Sequence, residues 1–374
     1  MTDVIEQYFG AAHEATIKLV GVGGVADVTN RQVQRRGLLG TLREVFLPQG
    51  YPDSVSDDYL EYQVWDTLQA FCSNITGALA TRAVLHGMGV GDADATPLAA
   101  TITWLLKDGM GMAGQIVFAW LSSSGLDARC KQWRLFADVL NDAAICLELA
   151  APAFGPYVFK VAVIGAGLAK SLVGVAGGAT RAAITQHQAL RSNMADLSVK
   201  DGSQERVVNL VGLLATMALL PLVAAGSAAS WLVFLLFTVL HVYTNYRAVC
   251  AVRMASLNMP RLSLVLAAVL AGGRHDLSVA TVNGLEPVVL GAESAAGQAA
   301  LTGMRAAAAQ GRAPAGPIGA LLAEPGGTDW TVDWQAAAEG VTESLFPKLM
   351  ERLRADGWAV EQSLLEPGEY RGVW

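Results

Sequence analysis

Between Val207 and Tyr246 the chain runs for forty residues without an Asp, Glu, Lys or Arg. The run divides at Gly226-Ser227 into Val207–Ala225 and Ala228–Tyr246, 19 residues each. At 1.5 Å rise per residue, each half makes a helix of roughly 28 Å, enough to cross a bilayer core. One half carries ten Val or Leu, the other nine Leu, Val or Phe, and at roughly −0.3 to −0.6 kcal/mol apiece both insert unaided. A soluble helix keeps a polar stripe, and neither half has one. The pattern therefore predicts a membrane-embedded helical hairpin rather than two buried helices of a soluble bundle. Lys200, Arg206, Arg247, Arg253 and Arg261 flank its open end, which puts both termini of the hairpin on the cytoplasmic or equivalent side. Pro221 is tolerated if neighbouring helices supply donors to the carbonyls around it.

The rest of the chain is organised around more helices. Pro48-Gln49-Gly50 and Pro52-Asp53 are turn chemistry, and Ser56 or Asp57 can cap a helix beginning near Tyr59. Between Phe46 and Asp66, Tyr51, Tyr59, Tyr62 and Trp65 alternate with Asp53, Asp57, Asp58, Glu61 and Asp66, as at a bilayer interface; a solvated acidic helix start and a carboxylate site for a cation are both open readings. Leu68–Val90 continues as a helix interrupted only by Arg82. Leu98–Leu121 is apolar but carries Lys107 and Asp108 at its middle. Its eight Leu, Ile, Val or Phe supply roughly −2.4 to −4.8 kcal/mol against about +5 to +7 for two central charges. This helix needs an opposite charge or polar groups from its neighbours.

Trp133–Leu149 reads as a helix with Arg134, Asp138, Asn141 and Asp142. Asp138 and Asp142 lie one turn apart on one face, while Glu148 points elsewhere. The two carboxylates need water, a cation or Lys107 to answer them, unless the face is solvated with Arg134 as partner. Pro152 and Pro156 break the chain before the apolar Tyr157–Ala169. Gly174 and Gly178 then form a GxxxG, expected to mark a close helix crossing. Beside it stand Arg181, Thr185 and His187, the last readable as a proton relay or as a hydrogen-bonded packing histidine.

The organisation follows: residues 1–45 as an irregular, membrane-adjacent entry segment; 46–262 as a helical membrane domain of five or six spans; 263–330 as a mixed segment and linker; 331–374 as a small α/β appendage, with a helix over Asp333–Gly357 and two short strands after it. The expected class is mainly α, a polytopic helical membrane bundle.

Composition changes this picture little. Hydrophobic residues make up 53% and charged residues 16%, with a mean hydropathy of +0.38, too apolar for an ordinary soluble domain. The net charge of −7 is spread out with no basic block, so nucleic acid is not an expected partner. Cys72, Cys130, Cys146 and Cys250 never form a CxxC, fitting neither a zinc site nor a disulfide framework. The N-terminus lacks the pattern of a secretory signal. GVGGV at 21–25 makes no dinucleotide fingerprint, and no P-loop, nucleophile elbow or HExxH occurs. No cofactor, metal or enzymatic reaction is expected.

Six stretches carry a resemblance: FLPQGYPDSVSDDYLEYQVWDTLQA, TWLLKDGMGMAGQI, KQWRLFADVLNDAA, GVAGGATRAAITQH, DLSVKDGSQE and FTVLHVYTNYRAV. In that order they resemble the root UVB sensitive (RUS) family over about Arg31–Leu262. The resemblance implies a helical membrane protein linked to UV-B responses, auxin transport and vitamin B6 homeostasis, in plastids or another intracellular membrane, some members acting in pairs. It implies no accepted reaction. The positions matching the family's polar motifs are Lys107, Asp108, Arg134, Asp138, Asn141, Asp142, Arg181, Gln186, His187, Gln204, Glu205, Asn245, Tyr246 and Arg247. Charged groups on apolar helices are what a ligand or proton pathway needs. The leading expectation is a carrier or binder of a small polar solute, conceived as anionic and vitamin B6-like, with Lys107, Arg134 and Arg181 answering its charge. The alternative is a membrane scaffold, embedded in lipid and contacting another RUS-family protein.

Overall fold

The computed structural model describes residues 3–9, 12–19, 27–29, 38–89, 97–122, 125–258, 260–261, 264–265, 278–291 and 346–359. Three strands come first: β1 (Asp3–Phe9), β2 (Ala12–Leu19) and β3 (Asp27–Thr29), an antiparallel sheet in the order β1-β2-β3. The entry segment is therefore not irregular throughout. Its Val, Ile, Thr, Tyr and Phe residues suit a pleated strand, a signal that the neighbouring glycines obscured. The helices follow: α1 (Leu38–Phe46), α2 (Tyr59–Gly87), α3 (Pro97–Ser122), α4 (Cys130–Ala150), α5 (Pro156–Gln188), α6 (Met194–Leu219), α7 (Ala228–Ala251), α8 (Val279–Leu285) and α9 (Phe346–Ala355).

Helix α2 is the spine of one half of the bundle, packing against α4, α6 and α7; α5 packs between α3 and α4 in the other half. Leu79, Ala80 and Ala83 of α2 meet Ile145 and Leu149 of α4 and Phe234 of α7 in one apolar cluster. In water each buried Leu, Ile or Phe side chain is worth about 1.5–3 kcal/mol. Between helices in lipid that drive is absent, and close packing and polar contacts have to replace it.

Helices α5, α6 with its terminal 3-10 turn, and α7 are long and apolar enough to cross a membrane; α2, α3 and α4 do not meet that measure. Most of each apolar window faces outward, with only 11% of it buried in α6. The turn after α6 ends at Gly226, whose φ of 70° suits a residue without Cβ. Ser227 then caps α7, its Oγ accepting from the Ser230 N–H. Yet the arms of the expected hairpin meet chiefly α2 rather than each other. Arg82 of α2 donates to the carbonyls of Leu220 and Val223 on either side of Pro221–Leu222, so one long neighbour serves the broken end of α6.

The GxxxG expectation is corrected. A Cβ on Gly178 would meet nothing within 4 Å, and one on Gly174 only the Gln115 amide at 4.0 Å. Close approach occurs elsewhere: a Cβ on Gly114 would lie 2.2 Å from Leu168 Cδ1, one on Gly167 2.5 Å from Lys107 Cγ, and one on Gly212 2.9 Å from Asn74 Cβ. Which glycine is covered depends on the facing helix, which spacing along one helix does not specify. Gly212→Ala should lower thermal stability in detergent by about 1–3 kcal/mol through overpacking. Gly178→Ala should be neutral or up to about 1 kcal/mol stabilising through helix propensity. Equal melting temperatures for the two variants would overturn this assignment.

At the C-terminal side, Leu257, Leu264 and Val265 pack with Val282 of α8, Leu353 of α9 and Trp358. The helix expected over Asp333–Gly357 is described from Phe346 to Ala355; the two strands expected beyond it lie outside the described residues.

Candidate functional site

Tyr62, Asp66, Gln69 and Ser73 recur along α2 at spacings of four, three and four, which keeps them on one face. Arg134, Asp138, Asn141 and Asp142 do the same on α4, and His241 and Asn245 on α7. Where these three faces meet, Arg134 Nη2 donates to Asp66 Oδ1 at 2.7 Å and its Nε stands 4.0 Å from Asp138. Asp138 Oδ2 also accepts from Gln69 Nε2 at 2.8 Å and from Asn245 Nδ2. The same Gln69 nitrogen lies 3.1 Å from His241 Nε2, and His241 Nδ1 lies 2.8 Å from Asp142 Oδ2. Longer contacts at 3.4 Å join Tyr62 to Asp66 and Asn141 to Ser73. The result is a continuous polar chain between helices, Asp66–Arg134–Asp138–Gln69–His241–Asp142, buried at Gln69, His241 and Asp142 and partly exposed at its Asp66–Arg134 end. His241 is 0% and Asp142 5% exposed. Asp142 Oδ1 and Asn245 Oδ1 are buried without a hydrogen-bond partner.

The other expected site residues go elsewhere. Lys107 does not answer Asp138 or Asp142; with Lys170 of α5 it pairs with Glu148, at 3.3 and 2.5 Å. Glu148 stands about 15 Å further along α4 than Asp138, ten residues at 1.5 Å each. Asp108 is exposed on the outer side of α3 and Gln186 is exposed on α5. Arg181 is held by Asp201 and Glu205 of α6, the latter at 2.7 Å. Arg247 stacks on the Trp65 ring, 4.6 Å from its centroid, and Tyr246 is exposed. Lys107, level with Gly167 on α5, and Arg181, fourteen residues further along that helix, are roughly 21 Å apart. The three cations do not converge, and each already meets a carboxylate.

His187 Nε2 pairs with Asp58 Oδ2 at 2.9 Å, an oxygen that also accepts from the Arg253 backbone N–H at 2.6 Å. Asp58 holds the N-cap position of α2 but makes no side-chain cap; Ser56 donates to it instead of capping the helix. Burial works to raise the Asp58 carboxyl, but His187, Ser56 and the Arg253 N–H outweigh it and hold it below the ordinary carboxylate value. The pair thus fastens the starts and ends of three helices, outside the polar chain. A second junction outside the spans gathers Lys131, Arg261 and Glu286. Glu286 Oε2 lies 3.0 Å from both cations, and Asn258 and Asn283 complete the set. Burial lowers Lys131; the cations and hydrogen bonds more than offset burial at Glu286 and hold its carboxyl down.

Sequence reading found Arg134, Asp138, Asn141, Asp142 and Asn245, and missed Gln69 and His241. His241 is the single histidine inside the forty-residue neutral run, a signal that was present. Gln69 gave none, because a glutamine on a helix is ordinary until its neighbours are known.

The profile of the family described as vitamin B6 photo-protection and homoeostasis domain matches residues 32–273. RUS family member 1 of Dictyostelium discoideum is 51% identical over 232 residues, 61% of this chain and 44% of that protein. Protein root UVB sensitive 3 of Arabidopsis thaliana is 43% identical over 246 residues, 66% and 56% of the two chains. Protein root UVB sensitive 2, chloroplastic, of the same plant is 32% identical over 230 residues, 61% and 52%. The chain spans about half the length of the curated relatives it matches. No solved structure matches. By the profile over 32–273 and these relatives, together with the six motifs, the chain belongs to the RUS family, whose domain is described by vitamin B6 photo-protection and homoeostasis.

Proposed function

We propose that this RUS-family chain is an integral protein of an intracellular membrane, plastids included, that binds and carries a small polar solute at the junction of α2, α4 and α7. It does so without catalysing a reaction. The observation that carries the reading is the pair of buried, unpartnered acceptors there, Asp142 Oδ1 and Asn245 Oδ1. Leaving such an oxygen unmade costs about 1–3 kcal/mol, so the junction favours a ligand that donates hydrogen bonds. The family description directs the choice to vitamin B6 compounds, whose hydroxyls and protonated ring nitrogen are donors. A phosphorylated, anionic form is less well supported, because Lys107, Arg134 and Arg181 each already meet a carboxylate.

The test is calorimetry with pyridoxine, pyridoxamine and pyridoxal phosphate on protein in lipid nanodiscs, paired with flux into proteoliposomes. Removing a hydrogen bond to a charged group costs about 1.5–3 kcal/mol, so Asp142→Ala should weaken binding of the non-phosphorylated forms by roughly tenfold or more and slow flux in parallel. Unchanged binding in folded Asp142→Ala and Asn245→Ala proteins would remove the reading's support.

The scaffold alternative has its own observation. Leu98, Ile102, Leu105, Met112, Ile116 and Trp120 are exposed along α3 at spacings that keep them on one side, a surface suited to lipid or to another family member. Cross-linking that survives Asp142→Ala in a chain with no solute binding would favour it.

A further inference from the structure

We infer that Gln69 binds two protons into one event, so that His241 and Asp138 are protonated together. A carboxylate only accepts hydrogen bonds. The Gln69 atom 2.8 Å from ionised Asp138 is therefore the amide nitrogen. That nitrogen has two hydrogens, and its second contact is His241 Nε2 at 3.1 Å. Nε2 is then the acceptor, and Nδ1 carries the proton directed at Asp142 Oδ2. In this state the imidazole is neutral.

Adding a proton at Nε2 turns that atom into a donor facing a donor. The conflict is relieved when the Gln69 amide turns over and presents Oε1 to the Nε2–H. The turn also brings Oε1 to within hydrogen-bond distance of Asp138 Oδ2, where two lone-pair-bearing oxygens repel unless Asp138 has itself taken a proton. With both protons in place, Oε1 accepts one hydrogen bond from Nε2–H and one from the Asp138 O–H, using its two lone pairs. No bond other than the two new N–H and O–H bonds forms, and both protons come from water. Their entry side is the Asp66–Arg134 end, where the side chains are 20% and 14% exposed.

The surroundings fit such paired loading. Facing His241 are Asp142, Asp138 and Arg134 from α4; from α2, Asp66 and Tyr62 lie beside Arg134 and Cys72 lies beside Asp142, while Arg247 of the His241 helix turns to Trp65. Further along α4, α5 presents Lys170 to Glu148, ten residues from Asp138. With His241 neutral, Asp66, Asp138 and Asp142 outnumber Arg134, leaving two net negative charges. Uptake of two protons leaves the junction with no net charge, which removes the cost of unbalanced charge in an apolar bundle. Asp142 keeps its hydrogen bond to Nδ1 in both states and acts as the positioning residue. The inference rests on the carrier reading only in making these protons the ions that couple to solute movement.

The experiment is a pH titration of the whole chain in lipid nanodiscs, with no solute. Infrared spectroscopy follows the carbonyl stretch of the protonated Asp138 carboxyl, identified by its loss in Asp138→Asn. Nuclear magnetic resonance follows the His241 imidazole nitrogens, identified by their loss in His241→Gln. The expected result is one midpoint for both signals with a Hill slope approaching two. Gln69→Leu should split the transition into two midpoints, each with a slope near one. Separate midpoints in the unaltered chain, or a single shared midpoint retained in Gln69→Leu, would overturn the inference. If Gln69→Leu does not fold, the slope and coincidence in the unaltered chain decide alone. Solute flux is measured separately, so absent flux with intact paired titration rejects the carrier reading and not this one.

Discussion

Glu148→Gln should cost the chain about 3–5 kcal/mol of stability, the range for stranding buried charge by removing its partner. Glu148 is 2% exposed at the side chain and is the shared counter-charge of Lys107 on α3 and Lys170 on α5. Lys170 is 31% exposed and can direct its ammonium outward along its flexible stem. Lys107 is 17% exposed and has less freedom, with its ammonium already 4.9 Å from the centroid of the Trp104 ring. The lower half of the range is therefore expected. The measurement is thermal unfolding in detergent micelles, with the triple variant Lys107→Met, Glu148→Leu, Lys170→Met alongside. Replacing a whole buried ionic group by apolar side chains is often neutral or stabilising, so the triple variant should recover most of the loss. A Glu148→Gln chain as stable as the parent would mean that water reaches both lysines and that the three helices are not held by this group.

Glu286→Gln should be as damaging but more local. It strands Lys131 and Arg261, whose side chains are 1% and 0% exposed, so the upper half of about 3–5 kcal/mol applies. Asn258 bonds Glu286, the Ala128 carbonyl and the Arg261 N–H, while Asn283 bonds Lys131 and both backbone groups of Met254. Loss of the carboxylate should thus release the segment after α7, together with α8, from the start of α4. Hydrogen exchange should rise at residues 252–258 and 279–285 while the centres of α2 and α7 stay protected. Acid should imitate the substitution. The folded carboxyl is held below its unfolded value near 4.5. Its contribution is therefore complete above that value and is lost as pH falls through the lower folded one. Exchange at 252–258 that ignores both the substitution and acid would refute the assignment.

The physics of one segment at a time was legible in the sequence. Forty residues without formal charge, and a length of 19 residues on each side of Gly226-Ser227, imply helices suited to lipid whatever they touch. Among the described residues, three helices are long and apolar enough to cross a membrane, where five or six spans were expected. Lys107 on an apolar helix required a counter-charge, and one is present. Its identity as Glu148 was decided in three dimensions, by α5 bringing α3 and α4 together. The carboxylates Asp138 and Asp142, one turn apart, likewise demanded partners: Arg134, offered by the sequence, stands beside Asp138, whereas Gln69, Asn245 and His241 were brought in by other helices.

Helix periodicity places side chains on faces of their own helix and says nothing about which faces meet. That is why Gly174 and Gly178, conspicuous by spacing, meet almost nothing, while Gly114, Gly167 and Gly212 sit at the crossings. It is also why Gln69, unremarkable in sequence, stands between Asp138 and His241. Hydropathy and family membership were determined by the chain alone, because both are properties of residues in order. The pairing of acids, bases and small residues belongs to the packing of α2, α4 and α7 and of α3 on α5, because it depends on distances between segments far apart in the chain, as Gln69 is from Asp138 and from His241.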